Sequence, residues 1–299
     1  MEASAIRTGG TLHTLRLAVE CMRPRQWIKN AFVFGGVLYS GQFVELGPLT
    51  TAIAVFVAFC LASGAAYLVN DAADAEADRH NPRTAGRPIA RGALSQRTAV
   101  LAAVVADAMA LAIAALVNWE TLATLGGFIV LQIAYSLVLK HQLFIDVMAV
   151  AAGFVLRAYA GLVAIDVEIS EWLLLCTGLL ALFLGFGKRR GEVVALGGTA
   201  HPQRAVLEQY SVALVDELIA VVTPSIIVAY SLYAVLGARS QAMLLTVPFV
   251  MYGVFRVLYL IHHGSRLPDD PTIVVWQDRP LQVCIVLWGV SAGLISALT

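Results

Sequence analysis

Long apolar runs separated by short polar interruptions dominate the chain. Nine stretches, at about 28–45, 49–70, 98–117, 121–139, 144–164, 171–187, 211–237, 241–262 and 280–298, each approach the roughly 20 apolar residues a helix needs to cross a bilayer. Runs such as 53–61 are apolar on every side, which excludes the alternating pattern of an outer-membrane barrel strand. The expected fold is therefore an all-α, polytopic membrane helical bundle of about nine transmembrane helices. Arg7, His13, Arg16 and Glu20 interrupt the first 27 residues and no small-residue cleavage site follows, so these residues do not read as a signal peptide. They are expected to form a cytoplasmic segment, 1–27, ahead of one membrane-embedded domain, 28–299.

Numbering the flanks of these spans alternately sorts the basic residues. One side receives Arg7, Arg16, Arg23, Arg25, Lys29, Arg79, Arg83, Arg87, Arg91, Arg97, Lys140, Lys188, Arg189, Arg190, Arg204, Arg266 and Arg279. The other receives only Arg239, while Arg157 and Arg256 fall inside spans. The positive-inside rule then places the N-terminus in the cytoplasm and the C-terminus outside. Connections on the outer side are short, whereas 71–97, 188–210 and 263–279 on the basic side are long. Any chemistry is thus expected to face the cytoplasm, from a protein of the cell inner (plasma) membrane.

Composition agrees. Of 299 residues, 59% are hydrophobic and 13% charged, with 20 Lys and Arg against 20 Asp and Glu. Soluble domains carry about 25% charged residues. Half that amount excludes a cytosolic enzyme, a secreted disulfide scaffold and a disordered chain. Cys21, Cys60, Cys176 and Cys284 lie far apart without metal-ligand spacing and read as small packing residues.

The first candidate site ends the second span: Tyr67-Leu-Val-Asn70-Asp71-Ala-Ala-Asp74-Ala-Glu-Ala-Asp78-Arg79. If the helix continues, Asn70, Asp74 and Asp78 share a face at i, i+4 and i+8, with Asp71 beside them. Like charges at that spacing destabilise a helix, so the pattern calls for a reason. Oxygen donors on one face suit Mg²⁺, commonly held by one or two carboxylates plus substrate phosphate. The plainer alternative is a solvated helix end. Arg79, Arg83, Arg87 and Arg91 follow in a segment that Pro82, Pro88 and glycines keep from continuing the helix. Metal followed by guanidinium forks is what a diphosphate requires, although such arginines also serve as topology determinants or bind anionic lipid.

Further cations stand at other span ends. Lys188-Arg189-Arg190, with Glu192, ends the sixth span and either snorkels or holds a second anion. Lys29 precedes the first span closely enough to reach a phosphate, and Trp27 beside it reads as an interfacial anchor. Tyr135 and Lys140 end the fourth span. Arg157 lies deep in the fifth, where an intramembrane charge marks either a functional group or a structural ion pair with Asp146 or Asp107.

The string Asn70-Asp-x-x-Asp74-x-x-x-Asp78-Arg79-x-Asn81-Pro82-Arg83-Thr84-x-x-Arg87-Pro88 resembles the first aspartate-rich motif of the UbiA-type membrane prenyltransferases. That resemblance implies a UbiA-like helical bundle with a cavity for a Mg²⁺–diphosphate and a lateral opening for a lipid chain. The superfamily carries a second DxxxD motif at the sixth-span exit, binding another Mg²⁺. Here Phe186-Gly187-Lys188-Arg189-Arg190-Gly191-Glu192 stands in its place.

This departure, with Arg23-Pro-x-Gln26-Trp27-x-Lys29-Asn30, Tyr135-Ser-x-x-Leu139-Lys140 and Asp278-Arg279-Pro280-Leu281, resembles a phosphoribosyltransferase branch of that superfamily. The resemblance implies phosphoribosyl pyrophosphate as donor, a polyprenyl (decaprenyl) phosphate lipid as acceptor, Mg²⁺ as cofactor, and a product used for cell-wall arabinan. It further implies Asn70 and Asp74 as metal ligands, with Asp71, Asp74 and Asp78 as catalytic carboxylates. Lys29, Tyr67, Arg79, Arg83, Arg87, Tyr135, Lys140, Arg157, Lys188, Arg189 and Arg190 are the implied substrate-binding residues.

The expected partners are these substrates and the membrane, with no nucleic acid. A homo-oligomer is compatible with the apolar surface, since lipid-facing and subunit-facing residues look alike. Two other readings compete: a prenyltransferase joining a prenyl diphosphate to an aromatic acceptor, which calls for acidic residues near 188–192, and a membrane transporter.

Overall fold

A computed structural model describes residues 10–82, 84–196, 205–238, 240–263 and 277–298, and every regular element among them is helical. Among these residues eight helices are long and apolar enough to cross a membrane. They are α3 (Leu46–Ala73), α5 (Gln96–Val117), α6 (Trp119–Leu137), α7 (Ile145–Val163), α8 (Glu171–Leu196), α9 (Val212–Leu232), α10 (Val247–His263) and α11 (Arg279–Leu298). A π turn, Tyr233–Gly237, extends α9, and a 3-10 turn, Gln241–Thr246, leads into α10. Side chains close the entries: Ser95 Oγ accepts from Thr98 N, Asn118 Oδ1 from Thr121 N and Ser211 Oγ from Leu214 N. Asn118 alone links α5 to α6, and its Nδ2 also donates to the Val163 carbonyl at the end of α7.

The stretch expected as the first span is built differently. Residues 24–34 wind as a 3-10 helix, Pro24–Phe34, followed by the six-residue α2 (Gly35–Ser40). The reason is close backbone contact with α7. A Cβ on Gly36 would lie 2.6 Å from the Gly161 carbonyl oxygen, and one on Gly161 would overlap the carbonyl oxygen of Val33. Before this segment, α1 (Thr11–Cys21) folds onto α3, with Met22 filling the notch at Gly64, where a Cβ would meet Met22 Cε at 2.5 Å.

Small residues draw α5 against α3. Ala99, Ala103, Ala106, Ala110 and Ala114 form its buried face, while Val100, Leu101, Val104 and Val105 point outward. Such faces let helix backbones approach where lipid is no less apolar than leucine. One core joins Val33 of the 3-10 segment to Phe59, Ala110, Leu125, Phe128 and Ala160 across α3, α5, α6 and α7. A second joins Val147, Phe183, Phe186, Val215, Ile219 and Ile261 across α7 to α10.

Helix α8 also continues past the expected end of its span at 187, to Leu196. Lys188 and Arg189 reach Glu192 at i+4 and i+3, pairings that carry the helix through the basic run. The basic Arg7, Arg83, Arg204, Arg239 and Arg266 lie outside the described residues.

Candidate active site

The acidic motif straddles a break in helical geometry. Helix α3 ends at Ala73, Asp74 is its cap with φ −90° and ψ 3°, and the five-residue α4 (Ala75–Arg79) follows. The ladder nevertheless carries through, since Asp74 N donates to the Asn70 carbonyl and Asp78 N to that of Asp74. The expected i, i+4, i+8 register therefore persists, but its members are drawn to different cations.

Asn70 and Asp74 converge on Lys140. Its Nζ lies 2.8 and 2.9 Å from the two Asp74 carboxylate oxygens and 3.3 Å from Asn70 Oδ1. Lys140 stands on a 3-10 turn, Leu139–His141, after α6 and is buried. Asp71 and Asp78 instead share Arg87, whose Nη1 is 3.2 Å from Asp71 Oδ1 and 2.7 Å from Asp78 Oδ2. Asp71, 2% exposed, also receives Arg23 Nη2 at 2.5 Å, and the Arg23 guanidinium covers the Tyr67 ring at 4.6 Å. Two acids this buried are tolerable only with such partners.

Between α4 and α5 the chain turns, as its prolines and glycines predict, with Gly92 at φ +75°. Arg79 braces this loop: its Nε donates to the Ala90 carbonyl and its Nη1 to Glu76. Neither of these contacts is to the carboxylates of α3 or to Asp74. Arg83 lies outside the described residues. Lys29 and Tyr135 are both half-buried and both have interaction partners.

The second basic cluster is largely compensated. Arg189, 3% exposed, places Nε 2.7 Å from Asp146 Oδ2, an ion contact outside hydrogen-bonding angles, and its Nη1 bonds Glu192. Asp146 Oδ1 accepts from Tyr210 at 2.8 Å, and that hydroxyl accepts from Phe144 N. Burial, and then the bond to Asp146, push the Tyr210 phenol above its ordinary range. Arg190 Nε meets Asp216 at 2.6 Å and its Nη1 donates to the Ile261 carbonyl. Lys188, the most exposed of the three, lies 3.9 Å from Glu192.

Arg157 has neither of the acidic partners its position suggested. Its Nε donates to Asn30 Oδ1 at 2.6 Å, its Nη2 to Ser63 Oγ at 3.3 Å, and its guanidinium lies over Phe128 and Phe154. Asp146 is occupied by Arg189 and Tyr210, and no ion pair joins Asp107 among the described residues. Ser63, the Asn30–Arg157 contact and the Arg23–Asp71 pair are polar contacts that spacing alone did not single out. The visible signal was a buried amide or carboxyl inside apolar sequence.

The donor set suits a divalent cation. Three oxygens of Asn70 and Asp74 already converge on one cation, the Lys140 ammonium. Among the described residues no cluster of three or more His, Cys, Asp or Glu side chains forms a ready-made cage. Oxygen donors that few leave most of the shell to water and substrate, as Mg²⁺ prefers.

An apolar helical bundle carrying a cluster of paired carboxylates and cations around the end of α3 defines an integral membrane protein with a polar candidate site. The chain belongs to the UbiA prenyltransferase family, whose profile matches residues 31–274. It is 32% identical, over 90% of its length and 89% of the relative, to the decaprenyl-phosphate phosphoribosyltransferase of Mycolicibacterium smegmatis. It is 33% identical to the enzyme of that name from Corynebacterium glutamicum, over 90% of this chain and 83% of the other. In structure it resembles a UbiA homolog from Archaeoglobus fulgidus bound to GPP and Mg²⁺, with a TM-score of 0.74 at 18% identity, covering 95% of this chain and 100% of that one. It is thus an integral membrane transferase of the UbiA fold.

Proposed function

We propose that this protein transfers the 5-phosphoribosyl group of phosphoribosyl pyrophosphate to a polyprenyl phosphate such as decaprenyl phosphate, releasing pyrophosphate. It does so from a single catalytic domain, 28–299, in the cell inner (plasma) membrane, with the polar end facing the cytoplasm. The lipid-linked pentose phosphate would serve cell-wall arabinan synthesis. Phosphoribosyltransferase relatives across nine-tenths of the chain support this reading.

The observation that carries it is the charge balance of the polar end. Asp71, Asp74, Asp78 and Asp146 each already have a cation of the protein. At the α8 wall Lys188, Arg189 and Arg190 stand where the prenyl-diphosphate reading calls for acidic residues, and although they pair with Glu192, Asp146 and Asp216 this cationic wall suits a second phosphate rather than a second metal. A prenyl diphosphate with an aromatic acceptor would bring only one phosphorylated reactant.

Asn70 and Asp74 would hold Mg²⁺, which when bound offsets charge gathering on the departing pyrophosphate. Lys140, displaced from Asp74, together with Lys29, Arg87 and Tyr135, would hold the donor phosphates. Asp71 and Asp78 keep Arg87 aimed and remain acceptors for ribose hydroxyls. Lys188, at the α8 wall, would receive the 5-phosphate or the lipid phosphate. The C1–oxygen bond to pyrophosphate breaks with its electron pair on the leaving group, and a phosphate oxygen of the lipid forms the new bond to C1. That nucleophile is already an anion, so no proton must be removed. Positive side chains fixed around the leaving group favour the oxocarbenium-like transition state.

The test offers the purified protein both donor types in detergent with Mg²⁺. Phosphoribosyl pyrophosphate and decaprenyl phosphate should give a labelled lipid and pyrophosphate in equal amounts. No such lipid, but prenylation of an aromatic acid from a prenyl diphosphate, would overturn the proposal.

A further inference from the structure

The deepest cation of the bundle serves the reaction indirectly. Arg157 lies on α7, 12 residues beyond Ile145, which at 1.5 Å per residue is about 18 Å into the bundle. It is 6% exposed and has no carboxylate partner among the described residues. A guanidinium so placed is costly unless its donors are satisfied. Asn30 and Ser63 take two of them: Asn30 Oδ1 accepts from Arg157 Nε at 2.6 Å and Ser63 Oγ from Arg157 Nη2, while Ser63 Oγ itself donates to Asn30 Oδ1 at 3.1 Å. The Asn30 amide donates to Cys60 Sγ at 3.3 Å, and Asn30 is wholly buried.

Asn30 is the residue after Lys29, on the 3-10 segment Pro24–Phe34. That segment is tied to α3 at two levels. Arg23, its cap, meets Asp71 and Tyr67 at the polar end, and Asn30 meets Ser63 and Cys60 deeper in. The seven residues from Arg23 to Asn30 span about 14 Å at the 3-10 rise of 2.0 Å. The eight from Ser63 to Asp71 span about 12 Å of α-helix. The two runs therefore match in length and lie antiparallel, which places Lys29, one residue before Asn30, at the inner end of the run, near the Ser63 level. A 3-10 helix has poorer hydrogen bonds than an α-helix and does not hold such a position unaided.

We infer that Arg157 is a positioning residue: through Asn30 it fixes the 3-10 segment against α3 and so sets Lys29 toward the donor phosphates. This deepens the phosphoribosyl-transfer reading and rests on it. It also replaces the direct substrate contact that sequence position alone suggested for Arg157.

The experiment is a double-mutant cycle read in KM for phosphoribosyl pyrophosphate, kcat, and donor affinity with Mg²⁺. Lys29→Ala should raise donor KM about tenfold or more, as expected for losing one charge-assisted phosphate contact. Arg157→Met should raise it comparably with a smaller effect on kcat. The double variant should equal the worse single one, because both remove the same contact. Multiplying effects would show that Arg157 acts independently of Lys29 and would overturn the inference. If Arg157→Met does not fold, Asn30→Ala in place of Arg157→Met completes the same cycle with the same two outcomes. Wild-type protein that binds no phosphoribosyl pyrophosphate would instead overturn the functional reading, a result distinguishable from a failed cycle.

Discussion

The Lys140 ammonium lies 2.8 and 2.9 Å from the two carboxylate oxygens of Asp74, so a protein cation fills the point where Asp74 and the Asn70 amide converge. A lysine there has two consequences of opposite sign. It competes with a metal for Asp74, and once displaced it stands beside the donor phosphates. Lys140→Ala should therefore bind Mn²⁺ more tightly than wild type, measured by electron paramagnetic resonance, while losing most phosphoribosyl transfer. Weaker Mn²⁺ binding in the variant would show that Asp74 is not the metal ligand.

Arg87 holds Asp71 and Asp78 together across the loop. Its removal leaves Asp78 without its cation, and Asp71 with Arg23 alone. Breaking a buried pair from one side costs about 3–5 kcal/mol, and the 29% exposure of Arg87 places this one at or below the lower end. Arg87→Ala should lower the Tm in detergent, and adding Asp78→Asn should recover part of the loss. No recovery would mean that the loop, not the charge, sets stability here.

The Tyr210–Asp146 bond makes alkaline stability predictable. The folded-state phenol titrates above the ordinary value, from burial and then from the bond to Asp146. Its contribution is therefore complete below the unfolded value of about 10 and is lost as pH rises toward the folded-state value. Tyr210→Phe should be less stable than wild type by about 1 kcal/mol at neutral pH. The gap should narrow above about pH 10, as followed by thermal unfolding across pH. A gap that widens with pH would reverse the sign of this linkage.

Gly161 allows the 3-10 segment to lie on α7. Gly161→Ala places a methyl group on the Val33 carbonyl and should cost about 1–3 kcal/mol while raising donor KM. Gly127→Ala on α6, with open space around it, should be tolerated in both measurements. Equal behaviour of the two variants would remove the packing argument.

Much of this is legible in the sequence. The spans beginning near 98, 121 and 144 match α5, α6 and α7 within two residues at each end, because lipid permits few chain paths besides an apolar helix. The stretch 28–45 misled because hydropathy counts side chains and ignores backbone path. Gly35, Gly36 and the buried Asn30 were the available signs of close packing. At the site, the register of Asn70, Asp74 and Asp78 was readable, but not its division between Lys140 and Arg87. Pairings such as Arg189 with Asp146, Arg157 with Asn30, and Arg256 with Asp278 join residues 22 to 127 positions apart. Only the packing of helices specifies them.

The central claim is that the Asn70–Asp74 end of α3 is where phosphoribosyl transfer occurs. The most direct measurement is label transfer from phosphoribosyl pyrophosphate to decaprenyl phosphate by wild-type protein and Asp74→Ala, side by side with Mg²⁺ and with thermal unfolding of both. Wild type should yield labelled lipid and the variant none, the variant still unfolding cooperatively although at a lower Tm, because the buried Lys140 loses its carboxylate. Labelled lipid from a folded Asp74→Ala protein would contradict the account.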